Sequence, residues 1–378
     1  MQPRIAVILY FFVNGLIFST WASRIPDIMT RYDIDNGQMG FILLSHSIGA
    51  FLAMPVTGYL INQHGSRRIT MISALLFCLF FSTVVLAPNY LILFIPFFLM
   101  GASTGVMDVA MNAQAVDVEQ LMDRPIMTFF HAMFSIGMVV GGIVGGYFIS
   151  QGLAMSTHFW SIAALAVIVI SVARSGLLSS SQSPQEDEEE APFLVMPRGA
   201  VIGLGIIAFC CMIGEGAMSD WSTNYMKNIM IAPESLITFG LTGFAGAMTL
   251  GRLFGDQFRV RYGDQRVLFT GAILSIIGML IILSKVHVFL VILGFGIVGL
   301  GLSNIVPIAY SLSGSLPNIP AGTGIAMVTT IGYSGFMLGP PLIGFIADIW
   351  DLRVGLLMIL ILFVVMFGIL LRRQSHQV

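Results

Sequence analysis

The chain is predicted to be an all-α integral membrane protein of twelve transmembrane helices, arranged as two six-helix pseudo-symmetric halves. Three observations carry that reading. The residues are 57% hydrophobic and only 10% charged, against roughly 25% charged in soluble domains, and the mean hydropathy is +0.92. The apolar residues fall into runs of about 20, the length at which a helix crosses a bilayer while satisfying its own backbone hydrogen bonds. The one strongly polar stretch, Ser179 to Pro192, lies near the midpoint and carries the acidic run Glu186 to Glu190. Like charges in a row repel and stay solvated, so the segment reads as a linker between residues 1–177 and 199–378, its bounds set at 178–198.

The first apolar run, 5–23, is too long for a signal-peptide core and is followed by further spans, so it is read as the first helix. The next five runs are 38–61, 69–87, 90–116, 126–150 and 157–177. Beyond the linker follow 199–222, 235–256, 266–284, 287–312, 322–348 and 353–371. Twelve of the 17 Lys and Arg residues, among them Arg4, Arg67, Arg68, Arg124, Arg174, Arg252, Arg259, Arg261 and Arg372, fall on one side of this pattern. Arg24, Arg31, Lys227, Lys285 and Arg353 fall on the other. Positive charge marks the cytoplasmic side, so both termini and the linker are expected inside a bacterial inner membrane.

Several chemistries have no support in the sequence. A net charge of −2 gives no basis for a nucleic-acid partner. Cys78, Cys210 and Cys211 sit in apolar runs without metal-ligand spacing. No nucleophile–base pair or phosphate-cradling loop stands out, so no enzyme, cofactor or metal is expected, and the chain is expected to work as a monomer.

The halves are related. Trp21 and Trp221 close the first and seventh spans; the turn Gly65-Ser66-Arg67-Arg68 returns as Gly263-Asp264-Gln265-Arg266; and Gly137-x3-Gly141 returns as Gly335-x3-Gly339. Near-constant offsets of this kind indicate parallel six-span repeats about an axis along the membrane normal. With the loop Gly58 to Arg68 and its second copy, Gly251 to Gly263, the chain resembles the major facilitator superfamily along its whole length. Where the family's loop has Asp followed by a basic residue, Asn62 and Gln63 stand here, leaving that charge relay without its carboxylate in the first half. Three segments, Gly105 to Gln114, Glu215 to Ser222 and Gly251 to Asp256, resemble the YbjJ-type branch related to the fucose permeases. The resemblance implies secondary transport by alternating access, often proton-driven, with the first and seventh helices lining a central cavity. It makes Arg67, Arg68, Asp256 and Arg261 gating candidates. Relatives in the fucose-permease group use acids in the first and fourth spans; here the first span has Asn14 and no carboxylate, and the fourth has Asp108.

Ionisable residues within spans are functional candidates because burying them is costly. Asp108 leads: Gly101, Gly105, Asp108 and Asn112 share one helix face, where the glycines admit a neighbouring helix and bring the carboxylate inward. A core histidine or a gate group is the alternative for His131, which otherwise would share a proton with Asp108. Glu215 is a candidate for proton or solute binding. Arg24 is expected to pair with Asp220 or Glu215 and close the outer side, Asp220 otherwise being a rim charge. Tyr10, Asn14, Phe18 and Trp21 form a stripe suited to a polar solute with an apolar face, Trp21 being otherwise an interfacial anchor. Asn112, Asn304 and Tyr333 complete the binding candidates. The leading reading is a proton-coupled importer of a small polar metabolite, a sugar included. An efflux permease for drugs or metabolites and a non-transporting membrane sensor are the alternatives.

Overall fold

The computed structural model describes residues 1–122, 126–179, 200–313 and 321–375. Arg124, the acidic run, and the side chains of Asn62 and Asp256 lie outside the described residues. The fold is all-helical there. In the first half α1 is Pro3–Ser23, α2 Ile25–Tyr32, α3 Asn36–His64, α4 Ser66–Thr83, α5 Tyr90–Met122, α6 Met127–Ser150 and α7 Met155–Ala173. In the second, α8 is Ala200–Asn224, α9 Phe239–Tyr262, α10 Asp264–Ser284, α11 Val288–Leu302, α12 Ile305–Ser313, α13 Ala321–Ile349 and α14 Leu352–Ser375. Among the described residues twelve segments are long and apolar enough to span a membrane.

Two departures from the expected spans have local causes. The tenth span is broken between α11 and α12 at Ser303 and Asn304. Pro307 has no N–H to offer the Ser303 carbonyl, and Asn304 turns its amide onto the Gly251 carbonyl of α9 at 2.9 Å. The eight-residue α2, too short and polar to read as a span, lies at the end of the bundle opposite the Arg-rich one. It is held there by Tyr32, whose hydroxyl donates to the Val84 and Ala87 carbonyls at 3.1 and 2.9 Å. Burial raises that phenol's pKa, against the pull of Arg31.

The repeat is visible in the packing. The α1–α6 and α3–α5 pairs of the first half have counterparts in α8–α13 and α9–α11 of the second. Across the halves, α3 meets α13 and α6 meets α9. The related turns agree as well: Gly65 has φ 78° and ψ 145°, and Gly263 has φ 83° and ψ 153°, a left-handed φ that glycine adopts without strain.

Close approach depends on bare helix faces, since in lipid helix pairing rests on van der Waals fit and small residues rather than on hydrophobic burial. On α6 the four-residue spacing makes two such faces. A Cβ at Gly137 or Gly141 would run into α1 at Phe12 and Leu16, whereas one at Gly142 or Gly146 would run into Thr242 or Thr238 at the start of α9. One helix thereby binds its own half with one stripe and the opposite half with the other.

Candidate functional site

The central cavity lies between the halves at mid-depth and has a volume of about 240 Å³. The first half supplies Asn14, Phe18 and Trp21 from α1, His46 and Ser47 from α3, and Thr104, Gly105 and Asp108 from α5. The second supplies Ser219 and Asp220 from α8 and Tyr333 and Phe336 from α13. Each half therefore contributes one carboxylate.

The geometry follows from helix faces. Gly101 and Gly105 press α5 against the α3 backbone at His46 and Ala50. One turn further, Asp108 clears that contact and reaches the cavity. Asn112, one turn beyond, donates to the Asp108 backbone carbonyl at 2.8 Å and lies 3.4 Å from Oδ1. It steadies Asp108 without lining the cavity. On α8, Asp220 is 8% exposed and has no hydrogen bond or ion pair among the described residues. Trp21 and Asn14 are 1% and 3% exposed, yet Trp21 Nε1, Asn14 Oδ1 and the Nε2 of His46 have no hydrogen-bond partner among the described residues. Buried polar atoms are nearly always satisfied, so unpaired donors and acceptors on a cavity wall point to a missing solute or water. Trp21 is thus a cavity residue rather than an interfacial anchor.

Other expected residues are placed differently. Arg24 pairs with neither Asp220 nor Glu215. Its guanidinium donates to Asp27 at 2.5 Å, to His158 Nδ1 at 3.3 Å and to the Leu153 carbonyl at 2.9 Å. The chain turns into α2 immediately after Arg24, which brings Asp27 one helical turn away and removes any need for a distant partner. Asp220 in turn faces the cavity and is no rim charge. Glu215 is engaged by Arg252 at 3.2 Å, and Arg252 also donates to Ser135 Oγ of α6 across the halves at 3.1 Å. Tyr10 is buried inside the first half with its hydroxyl 3.5 Å from the Ile170 carbonyl, and Asn304 is occupied by α9; neither lines the cavity. The His131 ring sits edge-on to Phe11, at 5.2 Å, outside the cavity that holds Asp108. At the Arg-rich end, Arg67 donates to Ser179, and Arg259 pairs with Asp264 at 2.8 Å. Arg67, Arg68 and Arg174 line a separate surface pocket, and Arg261 lies over the Tyr262 ring. None of these contacts joins one half to the other.

The opposite end is bridged by residues that the sequence reading did not select. Asp348, at the end of α13, accepts from Asn36 N at 2.9 Å and Gly37 N at 2.6 Å, the first two N–H groups of α3. The third, Gln38 N, is taken by the N-cap Asp35 at 2.7 Å, in a capping box. The helix terminus thus has its free donors satisfied, two of them by a carboxylate from the other half that also meets the positive end of the helix dipole. Asn224 donates to Asn36 Oδ1 at 2.9 Å, and Lys227 pairs with Asp27 at 3.1 Å. His46 was legible by the same rule that selects Asp108, an ionisable group at depth in a span; Asp348 was hidden because an acid at a span's end looks like a rim charge.

The match to the Major Facilitator Superfamily model covers residues 6–255 and 204–377. An uncharacterised MFS-type transporter of Yersinia pestis is 36% identical over 94% of this chain and 91% of its own length. The uncharacterised transporter y4wD of Sinorhizobium fredii is 33% identical over 93% of each chain. Among solved structures, the nucleoside transporter NupG superposes with a TM-score of 0.79 over 98% of this chain and 99% of that one, at 13% identity, a likeness of fold alone. A twelve-span helical bundle with repeated halves, matched along its length by the family model and by relatives of this identity, belongs to the Major Facilitator Superfamily.

Proposed function

We propose that the central cavity is the solute site and that the halves rock to expose it to each side in turn, with Asp108 carrying the coupling proton. The chain is a multi-pass membrane protein and a secondary transporter of a small solute. The observation that carries the site is the cavity itself: it sits at mid-depth on the boundary between the halves, it receives one carboxylate from each half, and its walls hold unsatisfied Trp21 and Asn14. A volume of about 240 Å³ lies below the roughly 300–1,000 Å³ of drug-sized pockets, which favours a metabolite over a bulky drug. His131 and Glu215, outside the cavity wall, take supporting roles, Glu215 through Arg252.

We further take the Arg-rich end as cytoplasmic in a bacterial inner membrane, the working unit as a monomer, residues 1–177 and 199–378 as the moving halves joined by 178–198, and the branch as the one related to the fucose permeases. In this orientation the Asp348 bridge closes the outer side. Thermal-shift screening for a stabilising solute, followed by flux into proteoliposomes with an imposed pH gradient, tests the reading. Asp108→Asn should bind solute but fail to accumulate it against a gradient. Uphill transport by Asp108→Asn with undiminished proton movement would overturn the coupling role.

A further inference from the structure

We propose that the solute is a hydroxylated organic ammonium ion, with Asp220 holding the ammonium group. The inference rests on reading the central cavity as the solute site. Charges placed within a membrane bundle are normally paired. The cavity wall carries Asp108 and Asp220 but neither Lys nor Arg. Arg24 and Arg252 are committed elsewhere, Arg24 to Asp27 and His158, and Arg252 to Glu215 and Ser135. Asp108 has Asn112 beside it, whereas Asp220 has no polar partner among the described residues. The missing partner of Asp220 is therefore a mobile cation.

The remaining wall says what the cation carries. Trp21 Nε1 can only donate and Asn14 Oδ1 can only accept, and both are unsatisfied and more than nine-tenths buried. A hydroxyl group on the solute serves either one. Phe18, Trp21, Tyr333 and Phe336 line the cavity with aromatic rings, which attract a cation. An anion would meet two carboxylates, and a neutral polyol would leave Asp220 without a countercharge.

The test is thermal stabilisation of the purified full chain by charge-matched series: glucosamine, galactosamine and ethanolamine; the neutral glucose, galactose and ethylene glycol; and the acids glucuronate, galacturonate and glycolate. Only amines should stabilise. Asp220→Asn should weaken them at least about tenfold, a 1.4 kcal/mol change at equilibrium, and Asp220→Glu should retain the preference for amines. Ser47→Cys, blocked after folding with a bulky maleimide, should abolish the shift, while wild-type protein treated in the same way keeps it. Stabilisation by neutral or acidic members equal to that by amines, or none by any amine, overturns the inference. Neutral members that stabilise and are lost on the Ser47→Cys block overturn the charge preference alone and leave the cavity reading standing. Amine shifts that survive the block place binding elsewhere, and the cavity reading falls with them.

Discussion

The two seams between the halves are related by the repeat, yet they are built on different physics. Along α6 and α9 the contact is bare backbone and small side chains: Gly142 and Gly146 meet Thr242 and Thr238, and the polar link, Ser135 to Arg252 to Glu215, is set deeper in the bundle. Along α3 and α13, Gly40 meets the Pro340 backbone, Phe41 stands edge-on to Phe345 at 5.2 Å, and the end of the seam is fixed by a carboxylate on a helix N-terminus. A close-packed seam resists separation by shape along its length and reforms only in register. A carboxylate on two N–H groups can be released as a unit, with water replacing the protein donors. We infer that the α6–α9 seam acts as a pivot and the α3–α13 seam, which is also close-packed at Gly40 and Gly344 but ends on a removable carboxylate, as a latch.

Filling the pivot should have the largest effect. Gly142→Leu combined with Gly146→Leu would drive side chains into Thr242 and Thr238, at a cost of roughly 1–3 kcal/mol per site, and should lower the thermal midpoint in detergent and abolish flux. Arg252→Ala comes next: it leaves Glu215 without its partner and removes a link across the halves. The pair is about one-fifth exposed (18% and 21%), so about 1–2 kcal/mol is expected, visible as a lower unfolding temperature, and Glu215→Gln in the same chain should recover part of it. Asp348→Asn keeps the side-chain shape but removes the charge from the helix terminus. A loss of roughly 1–2 kcal/mol shifts a two-state population about 5–30-fold, and spin-label distances between the outer ends of α3 and α13 should lengthen without loss of folding. Smallest is Lys227→Ala, whose pair with Asp27 is about one-third exposed (35% and 28%) and contributes under about 1 kcal/mol; it should leave those distances nearly unchanged.

Span length and polarity made the architecture legible, because lipid leaves a chain few choices. The apolar runs located all twelve crossings, and the repeated Gly65 and Gly263 turns and glycine stripes exposed the duplication. The breaks escaped: α2 is short and polar, and the gap after Leu302 arises from Pro307 acting together with the Asn304 contact to α9. For the cavity, the 3–4 spacing of Gly101, Gly105 and Asp108 sufficed, since one face had to pack and the carboxylate beyond it had to find room. Partner choice was not legible. The sequence cannot show that residue 348 reaches residue 36, because that pair depends on how helices from the two repeats meet; the Arg24–Asp27 pair is local, three residues apart, and was hidden with α2 itself.

We propose that the cavity at Asp108 and Asp220 is sealed on one side by the Asp348 latch and opens alternately to the two faces. Ser47→Cys, in a chain whose Cys78, Cys210 and Cys211 are replaced by Ala, places a thiol on the cavity wall. Its labelling by a membrane-impermeant maleimide, compared in right-side-out and inverted vesicles, reads that claim directly. With Asp348 intact the thiol should react mainly from the Arg-rich, cytoplasmic face, and Asp348→Asn should add reactivity from the outer face. Labelling from the outside alone with Asp348 intact, or no change on Asp348→Asn, would contradict it.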